Sequence, residues 1–238
     1  MNVKNSFKNL SRFELSLWLF SCAAIVLSQI FSGSADMLTA GASLIGVTAL
    51  IFVAKGDVLG QLLTVVFSLA YAVISFAFKY YGEMLTYLCM TMPIATMAVV
   101  SWLRHPFEKG VQEVEVNRLT RRELVFAAVL SGVVTWAFYY VLVYFDTANI
   151  VPSTISITTS FLASYLTFRR CDLYALAYAA NDVVLIVLWS LATAEDMKYI
   201  AMVICFVMFF ANDMYGYMNW RRMRKRQARA KTARAAAR

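Results

Sequence analysis

Residues 197–238 read MKYIAMVICFVMFFANDMYGYMNWRRMRKRQARAKTARAAAR, an apolar run from Met197 to Trp220 that passes directly into nine basic residues between Arg221 and Arg238. A helix needs about 20 apolar residues to cross the hydrocarbon core of a bilayer, and lysine and arginine collect on the cytoplasmic side of the spans they flank. The run therefore carries its own orientation. Working back along the chain, seven more runs of this kind occur at Leu15–Phe31, Met37–Ala54, Val58–Phe78, Met84–Leu103, Leu124–Phe145, Ile150–Phe168 and Asp172–Thr193. Threading the eight alternately puts Lys4, Lys8, Arg12, Lys55, Arg104, Lys109, Arg118, Arg121, Arg122, Arg169, Arg170 and the nine basic tail residues on one side. Only Lys79 and Lys198 fall on the other. So lopsided a split in short loops places both termini in the cytoplasm, and removing one span would put the basic tail outside.

Composition agrees. The chain is 61% hydrophobic and 15% charged, against about 45–50% and about 25% for a soluble domain. The expected protein is all-α and polytopic, with eight transmembrane helices in the cytoplasmic membrane. Its longest polar interior stretch, Arg104 to Glu123, reads as a cytoplasmic linker or a short surface helix between spans four and five. The first span lacks a small-residue cleavage site and is expected to be retained. The tail reads as a topology anchor resting on anionic lipid headgroups, with no nucleic acid as partner.

Catalysis finds no footing. His105 is the only histidine, so neither a metal-ligand cluster nor a serine nucleophile with a histidine base can be assembled. Cys22, Cys89, Cys171 and Cys205 are far apart and read as small packing residues. No glycine-rich phosphate loop appears. Catalytic residues, a metal and a cofactor are therefore all expected to be absent.

A weak internal repeat is visible. Asp57 after Lys55-Gly56 lines up with Asp172 after Arg170-Cys171, and Trp102 before Leu103-Arg104 with Trp220 before Arg221-Arg222. Spans two to four and six to eight then form two parallel three-helix units, with the fifth as connector and the first as an addition. The segments are 1–34 for the extra helix, 35–104 for the first unit, 105–148 for linker and connector, 149–220 for the second unit and 221–238 for the tail. Parallel repeats are a transporter architecture, with the substrate site near the midplane between the halves.

Two carboxylates lie inside spans, each after an asparagine: Asn181-Asp182 in the seventh span and Asn212-Asp213 in the eighth. An ionisable group inside a membrane helix is costly unless it faces a bundle interior or a water-filled cavity. Counted from Arg170 and from Arg221, the two asparagines lie ~16 Å and ~14 Å into the membrane. Both pairs thus reach the same depth near the midplane, either as a binding site or as polar glue between the two helices. Around them, Tyr174, Tyr178, Asn181, Asp182, Leu185 and Trp189 form one stripe at helical spacing. Asn212, Tyr215, Gly216 and Asn219 form another. Rings can stack on a heterocycle while amides bond hydroxyls or a carboxamide, so Asn181, Asn212, Asp182, Asp213, Tyr174, Tyr178 and Tyr215 are the expected substrate-binding residues. Trp189, Trp220, Tyr80 and Tyr81 read as an interfacial belt. The hydroxyls of Ser153, Thr154, Ser156, Thr158, Thr159 and Ser160 are expected mostly to bond their own backbone. Pro93 should kink the fourth span and open room beside the second Asn-Asp pair.

The turn Phe168-Arg169-Arg170, the run Ala180-Asn181-Asp182-Val183, the closing Asn212-Asp213-Met214-Tyr215-Gly216 with Trp220, and Gly60 and Tyr81-Gly82 in the first half together resemble the PnuC family of vitamin transporters. The resemblance covers spans two to eight. It implies a SWEET-like three-plus-one-plus-three fold with one extra N-terminal helix, and facilitated diffusion of nicotinamide riboside trapped by a cytosolic riboside kinase. Thiamine, riboflavin and deoxynucleosides are the alternatives within the family. A homo-oligomer is also expected. Family members carry W-x-x-W-x-x-x-N on the seventh span; here Tyr174 and Ala177 stand at the tryptophan positions ahead of Asn181, so one stacking ring is changed and one is missing. Proton coupling through Asp182 or Asp213 is a second reading of transport. A non-transporting partner subunit or sensor, whose polar stripes only bind helices, is a third reading of another class.

Overall fold

A computed structural model describes residues 3–33, 37–108, 112–147 and 149–236. Lys109 and Arg238 of the basic set, and the expected boundaries beside residues 35 and 148, lie outside the described residues, as does the side chain of Lys4. A short helix α1 (Val3–Lys8) leads into α2 (Arg12–Phe31), which starts on a reciprocal capping box between Ser11 and Glu14. Then come α3 (Met37–Ala54) and α4 (Val58–Ala77), the latter capped by Asp57 through the Leu59 amide. The fourth span is divided into α5 (Tyr81–Thr86), a π-helical turn (Tyr87–Thr91) and α6 (Met92–Arg104). The remaining long helices are α7 (Arg121–Tyr144), α8 (Ile150–Phe168), α9 (Tyr174–Glu195) and α10 (Ile200–Ala236), with a 3₁₀ turn at Met197–Tyr199 before α10.

Among the described residues, seven helical runs are long and apolar enough to cross a membrane. α8, the sixth span of the sequence reading, is not among them. It is 19 residues long and lies inside the bundle, but its serines and threonines lower its hydropathy. The helices close a ring in which α3 packs on α4, α4 on α6, α6 on α8, α8 on α9, α9 on α10, and α10 back on α3. α2 leans on the α3–α10 seam and α7 on α8 from outside. α7 turns Val125, Val129, Val133 and Trp136 outward, as a helix facing lipid does.

At the end of the bundle where the linker lies, the two turns α3–α4 and α8–α9 are built alike. The amides of Gly56 and Arg170 donate to Val53 and Thr167, each at 2.9 Å, and the next amides, Asp57 and Cys171, reach Phe52 and Leu166. Gly56 and Arg170 both have positive φ, at 69° and 57°. This geometry matches Asp57 with Cys171, one residue away from the Asp57–Asp172 pairing read from sequence. Two tryptophans complete the exchange. Trp102 Nε1 donates to Thr167 O at 3.0 Å and Trp220 Nε1 to Val53 O at 2.9 Å, so α6 holds the α8–α9 turn and α10 holds the α3–α4 turn. The linker is extended over its described residues rather than helical. It joins the two turns, with the Val114 amide donating to Gly56 O and the Asn117 amide to Arg170 O.

Several expectations are corrected. Trp189, Trp220 and Tyr80 are buried rather than belted at an interface, because their N–H groups or rings find partners inside: Trp189 Nε1 donates to Tyr71 Oη at 2.9 Å. The tail does not simply lie along headgroups. It continues α10 across the linker, with Arg226, Lys231 and Arg234 paired to Glu113, Glu115 and Glu108 and Arg224 to Asp172. Membrane carboxylates are also more numerous than two. Glu83 in α5, one residue outside the span as read, is fully buried with no hydrogen-bond partner on either oxygen.

Candidate functional site

The ring encloses a cavity near its middle, reached by α3, α4, the π turn, α9 and α10. α9 contributes Tyr178, Asn181 and Asp182; α10 contributes Phe209 and Asp213; α4 contributes Gln61 and Thr64; the π turn contributes Tyr87 and Thr91. The free space is about 50 Å³, room for a few waters, so a nucleoside-sized guest requires the walls to part.

Local structure explains each placement. Pro93, with no amide hydrogen to offer, follows the π turn with only Met92 between them, and such turns are frequent where a helix serves a site. The expected irregularity at Pro93 is therefore present, and it sets Tyr87 and Thr91 into the cavity wall. Gly46 of α3 admits the Phe209 ring, since a Cβ there would stand 2.4 Å from it. The α9 stripe read from sequence faces inward as a whole, with Tyr174, Asn181, Asp182, Leu185 and Trp189 all buried.

The two amides do not face one another. Asn181 Oδ1 accepts from Ser156 at 3.3 Å, Thr159 at 2.8 Å and Ser160 at 3.0 Å, all on α8. With its oxygen held, the Nδ2 group is the part free to donate into the cavity. Thr154, Thr158 and Thr159 reach carbonyls of their own helix as expected, but Thr159 together with Ser156 and Ser160 also forms the cradle for Asn181. Asn212 points the other way. Its Nδ2 donates to Ser21 of α2 at 3.0 Å and to Met208 O at 2.7 Å, and it is absent from the cavity wall. The carboxyl groups of Asp182 and Asp213 lie against each other across α9 and α10.

Of the remaining expected residues, Tyr178 lines the cavity and shares a 3.2 Å hydrogen bond with Ser164. Tyr174 lies below it towards the linker end, edge-on to Trp220 at 4.8 Å, with its hydroxyl near Gly216. Tyr215 donates to Glu14 of α2 at 2.7 Å and borders a surface cleft with Lys55 and Arg222. Sequence reasoning missed Gln61, Thr64, Tyr87, Thr91 and Phe209. Gln61 left a signal as the single amide of its span; the aromatic residues left none, because apolar rings are ordinary in any span.

The cavity contains two carboxyls, two amides, hydroxyls and aromatic rings, and among its described lining there is no lysine, arginine or histidine. A ring of apolar helices around a small, mostly apolar chamber into which a few carboxyl, amide and hydroxyl groups reach is the form of a helical membrane carrier. The chain belongs to the nicotinamide mononucleotide transporter family, whose model matches residues 36–222. It is 26% identical over 226 residues to the nicotinamide riboside transporter PnuC of Neisseria mucosa, covering 93% of this chain and 86% of that protein. Its fold is similar to a crystal structure of the vitamin B3 transporter PnuC, with TM-score 0.81 at 24% identity over 92% of this chain and 94% of that one.

Proposed function

We propose that the protein carries nicotinamide riboside, rather than its phosphorylated form, across the cytoplasmic membrane. The carrying observation is the charge of the cavity wall. Asp182 and Asp213 stand there with no basic side chain, so a phosphate would meet two carboxyls and no counter-charge. Burying an unpaired charge costs several kcal/mol. A pyridinium cation instead finds carboxyls and the ring faces of Tyr87, Tyr178 and Phe209, while Gln61 and the Nδ2 of Asn181 suit a carboxamide or ribose hydroxyls.

The reading includes eight spans, in parallel units of three joined by α7 with α2 added, and both termini in the cytoplasm. The like-built turns and the exchanged tryptophan bonds support the two units. Transport runs as facilitated diffusion, with phosphorylation by a cytosolic kinase retaining the product. The test is a melting series of the purified protein with nicotinamide riboside, nicotinamide mononucleotide, thiamine and riboflavin. A ligand that binds only the folded state raises stability by RT ln(1 + [L]/Kd). The riboside should stabilise and the mononucleotide should not; equal stabilisation by both would overturn the charge argument.

A second reading is favoured by the adjacency of Asp182 and Asp213, through which a proton could move with substrate. Uptake into kinase-free vesicles separates the two. Entry that stops at equal concentrations in the presence of a proton gradient fits diffusion, and accumulation abolished by an uncoupler fits the coupled carrier.

A further inference from the structure

Where the central cavity has no basic side chain in its described lining, the linker end of the molecule gathers several. A cavity of about 420 Å³ lies between the linker, the α8–α9 turn and the extended tail of α10, and Arg118, Arg170, Arg224 and Lys231 converge on it. Two carboxylates face the same cations: Glu115 pairs with Lys231, and Asp172 with Arg224 Nη1 at 2.7 Å. Two positive charges remain unanswered. Arg170 has no ion pair among the described residues, and the Nε groups of both Arg170 and Arg224 are buried without an acceptor. A buried donor left unpaired forfeits the full cost of its desolvation, and the Nη groups of Arg170, which are not buried and have no ion pair among the described residues, are the donors open to an acceptor in the cavity.

The backbone reinforces this. Arg170 adopts φ 57°, a left-handed conformation uncommon for a residue other than glycine, asparagine or aspartate. Its carbonyl is held there by the Asn117 amide at 2.9 Å. At the equivalent turn the chain uses Gly56, which adopts positive φ without steric cost. An arginine at this position therefore offers a side chain that the turn itself does not require. Burial pulls the Arg170 guanidinium below the usual arginine range, an effect that a bound anion would offset.

We propose that this cavity binds a phosphate-bearing anion, held by the guanidinium forks of Arg170 and Arg224 with Arg118 and Lys231 at its rim. Guanidinium groups present planar pairs of N–H donors that match phosphate oxygens, and the space suits a phosphomonoester or a lipid headgroup. The occupant adds a further tie between linker, turn and tail, which already meet through the Asn117–Arg170 backbone bond, the buried Gln227 side chain and several ion pairs.

The test uses the full chain and two phosphate sources. In detergent, melting temperature is followed against inorganic phosphate at constant ionic strength; in nanodiscs, phosphatidylglycerol is compared with phosphatidylcholine. Wild type should show saturable stabilisation by at least one source, Arg170→Gln should weaken that binding about tenfold or more, and the charge-matched control Arg221→Gln should leave it intact. Saturation with inorganic phosphate identifies a soluble phosphoester site, and saturation only with phosphatidylglycerol identifies a headgroup site. If Arg170→Gln fails to fold, Lys231→Gln on the exposed rim gives the same reading with a smaller loss. Absence of saturation with both sources, or equal weakening by Arg221→Gln, would overturn the proposal.

Discussion

The Asn-Asp pair of α9 sends its amide oxygen back into three α8 hydroxyls and leaves its nitrogen towards the cavity, whereas the pair of α10 turns its amide outward to Ser21 of α2. Their carboxyls meet between them. The same dipeptide thus divides into an amide on the cavity wall and an amide bonded to a neighbouring helix, and the helix lying behind each one makes the difference. α10 extends the pattern with Tyr215 on Glu14, Asn219 on Ala54 O and Trp220 on Val53 O. Its stripe largely fastens α10 to α2 and α3, and only Asp213 of the expected α10 residues reaches the cavity.

The largest effect should come from the shared element. Replacing both carboxyls in Asp182→Asn/Asp213→Asn keeps shape and removes charge. Losing a desolvated charge partner costs about 2–5 kcal/mol, so the Kd for nicotinamide riboside by calorimetry should rise about 30-fold or more. A neutral ligand such as riboflavin should lose far less, and equal losses for both would remove the charge argument.

Next comes Asn181→Ala, which on the proposed reading deletes a donor to ligand and also takes an acceptor from Ser156 and Ser160, while Thr159 keeps the carbonyls of its own helix. Ligand affinity should fall by about 0.5–1.5 kcal/mol, or up to about 3 if a polar group of the ligand is left unpaired. Apo melting temperature should drop as well. A mutant with a lowered apo melting temperature and unchanged affinity would place Asn181 beside Asn212 as glue.

Asn212→Ala should be the smallest. Interhelical hydrogen bonds in membranes average about 0.6 kcal/mol and reach about 1.7, and the loss should appear in apo stability with the ligand shift preserved. Loss of the ligand shift at unchanged apo stability would return Asn212 to the site and dissolve the contrast between the two pairs.

Much of this was legible along the chain. The positions of the long helices followed from apolar run lengths, since a span must satisfy its backbone internally over a fixed thickness. The inward stripe of α9 followed from helical periodicity, and the irregular fourth span from Pro93. Glu83 escaped because a carboxylate at the edge of an apolar run reads as a loop residue until a neighbour covers it. Trp189 and Trp220 were misplaced for a related reason: an aromatic near a helix end suits an interface and a core equally, and only Tyr71 Oη and Val53 O decide between them.

What the sequence determined by itself is periodic or additive: hydropathy, charge asymmetry and the faces of single helices, all set by residues within a few turns of one another. What the tertiary structure alone decided is the partner across the bundle. Nothing within α10 tells Asn212 that Ser21, some 190 residues earlier, stands behind it, and nothing within the α8–α9 turn tells Arg170 that the linker and tail will close a basic cavity around it. The strength of a hydrogen bond or an ion pair depends on the distance, alignment and burial of two groups at once, and for groups far apart in the chain those quantities come into existence only when the helices pack.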